Sequence, residues 1–393
     1  MDLFADLPEP SNDDGAGATS KKRTSLFDDL PPATNTHSGA TSKKKTSLFD
    51  DLPPATNTHS ASNLLGGDLF SGIPADATTD NTKGEKRKSE QGDGSEEHVE
   101  KKVCKELPQL RGFVAERKGE REEMQDAHVI RNEFVDNLGS LPDGISQMSY
   151  FAVFDGHNGA RAAQFAAQQL HLNLCKKFPK GMTSIEKTVK KCLVEAFKQT
   201  DDEFLRQASS QKPVWKDGCT ATCVLAIDGV LYIANLGDSR AVLCRYSEES
   251  QKQTALPLSV EHNPTQYEER MRIQKAGGTV RDGRVMGILE VSRSIGDGQY
   301  KRLGVISLPD VRRCQLTPSD RFILLACDGL FKVFSPEEAV TFVLKVLEDK
   351  DIPVKEGKTL DDARYEAACS RLANEAVRRG SADNVTVILV AVG

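Results

Sequence analysis

Long apolar runs are what this 393-residue chain has least of. The longest, Phe322 to Cys327 and Val385 to Val392, fall far short of the roughly 18 residues a membrane-spanning helix needs, and the N-terminus (Met-Asp-Leu-Phe-Ala-Asp) has no signal-peptide core. A soluble, unsecreted protein without a membrane partner is expected. Basic excess is missing too: 52 Lys and Arg against 58 Asp and Glu leave a formal net charge of −6, which argues against a nucleic-acid partner. The nine cysteines contain no C-x-x-C pair and are odd in number, so neither a zinc signature nor a disulfide framework is present, and a reducing compartment follows. No G-x-x-x-x-G-K-[ST] loop occurs, so an NTPase has no support.

Aromatic and branched residues are scarce in the first quarter. Residues 1–105 hold four Phe, Ile73, Val99 and Val103, with no Tyr or Trp, too little apolar surface to offset the entropy of ordering. Residues 1–107 are therefore expected to be a disordered tail. Within it a 22-residue unit, Gly17 to Ser38, recurs as Gly39 to Ser60 with one change, Arg23 to Lys45. Two such polar copies cannot stack into a solenoid; what repeats is the short motif Leu-Phe-Asp-Asp-Leu-Pro at Leu26 to Pro31 and Leu48 to Pro53. Acidic residues flanking a Leu/Phe pair resemble partner-docking segments, against the plainer reading of a duplicated inert linker. Two basic clusters, Lys86-Arg87-Lys88 and Lys101-Lys102 with Lys105, have the spacing of a bipartite nuclear import signal, so the expected location is cytoplasmic and nuclear.

Beyond the tail, apolar runs bounded by turn residues predict strands at Phe113 to Ala115, Ala127 to Ile130, Tyr150 to Phe154, Thr220 to Ile227, Leu231 to Leu236, Arg240 to Tyr246, Phe322 to Cys327 and Val385 to Val392. Asp228-Gly229 between two of them predicts a two-residue hairpin. Helical spacing appears over Ala160 to Phe178, Ile185 to Ala208, Pro336 to Glu348 and Ala363 to Arg379, the last stopped by Gly380. Strands and helices do not alternate as in a doubly wound sheet. The expected class is α+β: two antiparallel β-sheets sandwiched between helix pairs, in four layers αββα.

Asp155, Asp238 and Asp328 follow predicted strands, and Asp383 precedes one. In an antiparallel sheet the end of one strand and the start of its neighbour share an edge, so the four carboxylates can converge. Singly each is more often a turn residue or helix cap; as a set without His or Cys they select hard cations, Mg²⁺ or Mn²⁺.

Six ordered motifs carry a resemblance: Arg121 to Asp126, Phe154 to Gly159, Leu236 to Arg240, Glu290 to Asp297, Cys327 to Gly329, and Asp383-Asn384. Together they resemble the type 2C metal-dependent Ser/Thr protein phosphatases over residues 108–393. The resemblance implies that Asp155 bridges two metal ions, with the Gly156 carbonyl on one and Asp328 and Asp383 on the other. Asp126 would stand behind the attacking water, and Asp238 with Asp328 would hold a weaker third ion. The reaction implied is direct in-line attack by a water shared between the two ions. Arg121 would bind the phosphate through its planar fork, and His157 would protonate the leaving oxygen. The substrates implied are phosphoserine and phosphothreonine proteins, and the chain is expected to be a monomer. Segments Glu116 to His128, Gln207 to Gly218 and Asp282 to Tyr300 resemble the branch associated with integrin-linked kinase, which implies that kinase as a partner.

Three positions depart from the common pattern of the family: Gln125 stands for a Glu, Asn158 for a Gly, and Lys332 for an acid four residues after Asp328. Gln keeps hydrogen bonding, and Asn tolerates positive φ. Lys332 places an ammonium near the cluster, so metal affinity is where a difference is expected. His262 to Val280, within a flap spanning about 260–292, resembles the segment beside the active site of that family; Pro264 and Gly277-Gly278 predict a short helix there. The alternative is a catalytically weak scaffold of the same fold that binds a partner kinase. A cysteine-dependent phosphatase is excluded, because no Cys is followed by Arg six positions on.

Overall fold

The computed structural model describes residues 107–135, 141–179 and 184–393. The repeats, their motif and the basic clusters lie outside the described residues.

In chain order the first elements are β1 (Leu110–Arg117), β2 (Ala127–Arg131), β3 (Met148–Phe154), β4 (Gly156–His157), α1 (Arg161–Lys177) and α2 (Ile185–Ser209). There follow β5 (Gly218–Cys219), β6 (Ala221–Ile227), β7 (Val230–Leu236), β8 (Arg240–Ser247), β9 (Lys252–Pro257), α3 (Tyr267–Lys275), β10 (Val280–Arg281), β11 (Arg284–Val285), β12 (Ile295–Gly296) and α4 (Gly298–Lys301). The last are β13 (Asp310–Gln315), β14 (Asp320–Ala326), α5 (Asp328–Phe331), α6 (Pro336–Leu347), α7 (Leu360–Arg378) and β15 (Val385–Val392).

Two five-stranded sheets form, ordered β1-β15-β14-β8-β9 and β13-β7-β6-β3-β2, with every neighbouring pair antiparallel. The alternation of side chains along a strand explains the layering. Tyr150, Ala152 and Phe154 of β3 pack with Leu170 and Leu174 of α1 and Leu193 and Phe197 of α2. Phe151 and Val153, on the other face, join Leu325, Ile388 and Val390 of the opposing sheet. In β15 the same alternation sends Val387 and Leu389 toward Val343 of α6 and Leu372 of α7. Strands buried on both faces read as continuous apolar runs, and this is why they stood out in the sequence. The αββα sandwich is the architecture expected.

Local chemistry sets the ends of these elements. Asp228 (φ 46°) and Gly229 (φ 77°) both adopt the left-handed conformation that a tight hairpin between β6 and β7 demands, pairing Ile227 with Val230. Ser335 and Glu338 form a reciprocal cap with Pro336 at the first turn of α6. Helix α7 starts at Leu360, before the expected Ala363, because the Thr359 side chain accepts the Asp362 N–H. In the flap the helix begins at Tyr267 instead of Pro264, since Asn263 Oδ1 takes the Thr265 N–H at 2.9 Å and turns the chain first. Strands β9 and β13 were not foreseen; both are sheet edges, exposed along much of their length and poor in apolar alternation.

Candidate active site

The strand registers bring five aspartates to one edge of the sandwich. Phe154 pairs with Ala127, Leu236 with Ala221, and Ala326 with both Arg240 and Val387, so the residues just beyond those positions share that edge. Asp155 follows β3, Asp126 precedes β2, Asp238 joins β7 to β8, Asp328 opens α5 after β14, and Asp383 precedes β15. One carboxylate oxygen each from Asp155, Asp238 and Asp328 lies within 4.8 Å of the others, and Asp155 meets Asp126 and the Cys327 sulfur within the same limit. The Cys327 sulfur is engaged by backbone, donating to the Asn384 carbonyl at 3.3 Å and accepting the Thr386 N–H at 3.1 Å, which leaves the carboxylate oxygens to face an ion. Gly156 is dictated by close approach: a Cβ there would stand 2.1 Å from the Gln125 carbonyl oxygen.

Crowding and burial make most of these carboxylates reluctant to ionise. Asp155 is raised well above the usual range by burial and then by the charges of Asp126, Asp328 and Asp238. Burial, with Asp383 and Asp328 adding, pushes Asp126 to about 6 against the hydrogen bond from Thr386; burial and Asp328 push Asp238 to about 7. Asp328 is also raised by burial, although Lys332 opposes it. Asp383 differs. Burial would raise it, but the hydrogen bond and charge of Lys332, the Asn384 N–H and Arg121 lower it. A compact oxygen cluster that resists its own charge fits a hard divalent cation, which removes the repulsion.

The expected catalytic groups surround this cluster. Arg121 Nη2 lies 2.9 Å from Asp383 Oδ2, and Arg121 also lines a cleft of about 620 Å³ with Glu122, Glu123, Gln125, Asn158 and Arg161. Asn158 takes φ 59°, the conformation its substitution for Gly required. His157 Nε2 stands 2.7 Å from Oδ2 of Asp297; burial lowers its pKa, but the Asp297 charge and hydrogen bond raise it further, with a net rise. Thr386 Oγ1 donates to Asp126 Oδ2 at 2.7 Å. Lys332 Nζ lies 2.7 Å from Asp328 Oδ2 and 2.8 Å from Asp383 Oδ2.

Several supporting residues had no role in the sequence reading. Asp297, wholly buried, holds His157, and the space for that contact exists because position 218 is glycine: a Cβ there would meet Asp297 Oδ2 at 2.2 Å and His157 Nε2 at 2.4 Å. Asn384 accepts the Gln125 N–H at 2.7 Å and donates to the carbonyls of Lys118 and Glu123, pinning the loop that carries Arg121 and leads into Asp126. Both residues lie inside recognised motifs, the only signal they offered. Beside the site, the flap is anchored through Glu269 on α3. Burial would raise its carboxyl, yet hydrogen bonds from Arg272, Arg293 and Ser292 hold it at about 2.

The family model for protein phosphatase 2C matches residues 110–385, and the chain belongs to that family of Ser/Thr protein phosphatases. The human integrin-linked kinase-associated serine/threonine phosphatase 2C is 66% identical over 401 residues, covering 100% of both chains, and a mouse protein of the same name is 67% identical over the same coverage. An Arabidopsis thaliana protein, probable protein phosphatase 2C 8, is 38% identical over 70% of this chain and 77% of its own. Among solved structures, a Caenorhabditis elegans sex-determining protein superposes with a TM-score of 0.58 at 26% identity, covering 72% of this chain and 64% of that one. A Toxoplasma gondii serine-threonine phosphatase 2C shares the fold with a TM-score of 0.59, at 22% identity, over 73% of this chain and 98% of its own.

Proposed function

We propose that this chain is a Mg²⁺- or Mn²⁺-dependent phosphatase that hydrolyses phosphoserine and phosphothreonine in proteins. The observation that carries the reading is the convergence of Asp155, Asp238 and Asp328 beside Asp126, with Arg121 lining a cleft and reaching Asp383. Asp155, the Gly156 carbonyl, Asp328 and Asp383 would hold two ions, and Asp238 with Asp328 a weaker third. When bound, such ions supply Lewis acidity that lets water act as a nucleophile near neutral pH.

The side chains of the chain account for the rest. Arg121, facing the cleft, offers a planar pair of donors to two phosphate oxygens, which orients phosphorus for in-line attack. Asp126, held by Thr386, accepts a hydrogen bond from the attacking water. His157 is held through Nε2 by Asp297, which leaves Nδ1 to deliver a proton to the seryl or threonyl oxygen as the P–O bond breaks. Water oxygen is transferred to phosphorus, the alcohol leaves protonated, and no phosphoenzyme forms.

The names of the close relatives support integrin-linked kinase as a partner. We assign the repeated tail motif to partner docking, the basic clusters to nuclear entry alongside a cytoplasmic pool, and a monomeric state to the phosphatase domain of 108–393. A second reading, a weakly catalytic scaffold, is favoured by one observation: Lys332 already neutralises Asp328 and Asp383. Hydrolysis of a phosphothreonine peptide with Mn²⁺, abolished by excess chelator, separates the two. Absence of turnover at every ion concentration establishes the scaffold.

A further inference from the structure

The acidic edge is not uniform in what the protein provides to it. Asp383 is fully partnered: Oδ1 accepts the Asn384 N–H at 2.8 Å, and Oδ2 accepts Arg121 Nη2 at 2.9 Å and Lys332 Nζ at 2.8 Å. The same Nζ sits 2.7 Å from Asp328 Oδ2. Among the described residues, no basic side chain pairs with Asp155 or Asp238, which are left to an external cation.

The placement of Lys332 follows from the backbone. It caps α5, its own N–H bonded to the Asp328 carbonyl at 2.8 Å, so one helical turn sets the ammonium over the carboxylate that opened the helix. Its side chain remains 44% exposed, which leaves a solvent-side path for the flexible stem to swing away.

We propose that Lys332 is a built-in, exchangeable cation: it neutralises Asp328 and Asp383 in the metal-free chain, and a second divalent ion binds there only by displacing its ammonium. This rests on the metal-dependent reading above. An ion entering at Asp155 meets no such competitor. One entering between Asp328 and Asp383 must break two short ion pairs and then sit near a displaced positive charge, where an acidic side chain would have attracted it. The same contact compensates the charge of Asp328 and Asp383 when no ion is bound.

Mn²⁺ binding to the full chain, followed by the electron paramagnetic resonance of free Mn²⁺, reads the two steps directly, and thermal unfolding in chelator reads the metal-free state. The wild type should bind a first ion and then a second more weakly by roughly ten- to a hundredfold, the scale of one or two charge interactions. Lys332→Met should tighten the second step by about tenfold, leave the first unchanged, and unfold at lower temperature in chelator. Lys332→Arg should keep the wild-type pattern. Equal second-ion affinity in wild type and Lys332→Met, or Lys332→Arg behaving like Lys332→Met, overturns the role of Lys332 alone. No Mn²⁺ uptake by any form overturns the metal-dependent reading and this inference with it.

Discussion

Nε2 of His157 is 2.7 Å from Oδ2 of Asp297, a carboxylate with no exposed surface, so the ring is held from behind by a residue 140 positions away. Two chain segments with no local relation meet in this one contact. In the proposed mechanism Nδ1 is then the nitrogen that serves substrate, which makes the role of the histidine separable from that of the proposed metal ligands.

Replacing His157 with Gln should lower turnover of a phosphothreonine peptide on the order of 10² to 10⁴, the usual range for a lost general acid. The loss on p-nitrophenyl phosphate should be much smaller, because p-nitrophenolate leaves without a proton. Rates at saturating Mn²⁺ on the two substrates check this; an equal loss on both assigns the histidine to structure.

Asp297→Asn keeps the size of the side chain and removes its charge. Turnover of the phosphopeptide should drop by about 10- to 100-fold with KM little changed, as expected when an interaction that matters in the transition state is lost. In the His157→Gln background the same change should add almost nothing. Additive losses would mean that Asp297 acts on the fold and not through the histidine.

Asp155→Asn should cut turnover by roughly three orders of magnitude or more, since it removes a charged group shared by both halves of the cluster. In chelator the same variant should unfold at a higher temperature than wild type, because one of several mutually repelling buried carboxylates has gone. Calorimetry with and without Mn²⁺ tests both halves of the expectation.

The stabilisation conferred by Mn²⁺ should grow with pH. Asp126 and Asp238 titrate at about 6 and about 7 in the metal-free fold, above their unfolded value of roughly 3.9. Raised folded values mean that the native state binds more protons than the unfolded one in this range. These two groups therefore contribute stability to the chelated fold that is fully present below their unfolded value and is lost as pH rises through 6 and 7. Mn²⁺ replaces those protons, so the gap in Tm between loaded and chelated protein should widen by a few degrees from pH 6 to pH 8. A gap independent of pH would place the ion elsewhere.

Deleting residues 1–90 should leave peptide hydrolysis nearly unchanged, because that segment carries too little apolar surface to complete a core. If the repeats are docking motifs, Phe27→Ala with Phe49→Ala should weaken capture of a protein partner and spare peptide turnover. Pull-down and rate measurements on the same preparations decide it.

The legible parts of this protein were those whose signal is local. Strands β3, β6, β14 and β15 are covered on both faces, so burial wrote itself into unbroken apolar runs. Edge strands β9 and β13 bury little, and β4, β5 and β12 are two residues long, so no periodicity could report them. The tight turn at Asp228-Gly229 was readable because its backbone conformation restricts residue type.

By itself the sequence determined the sandwich, the arrival of aspartates at strand ends, and membership of a family through ordered motifs, since hydrophobic periodicity and turn chemistry act within a few residues of the chain. It also marked Lys332 as out of pattern without saying what the ammonium would touch. Only the tertiary structure decided that Lys332 spans Asp328 and Asp383, that Asp297 backs His157 through the gap at Gly218, and that Asn384 ties down the loop of Arg121. These pairings depend on how two sheets stack and in what register their ends meet, and no periodicity in a single strand encodes the partner that packing brings to it.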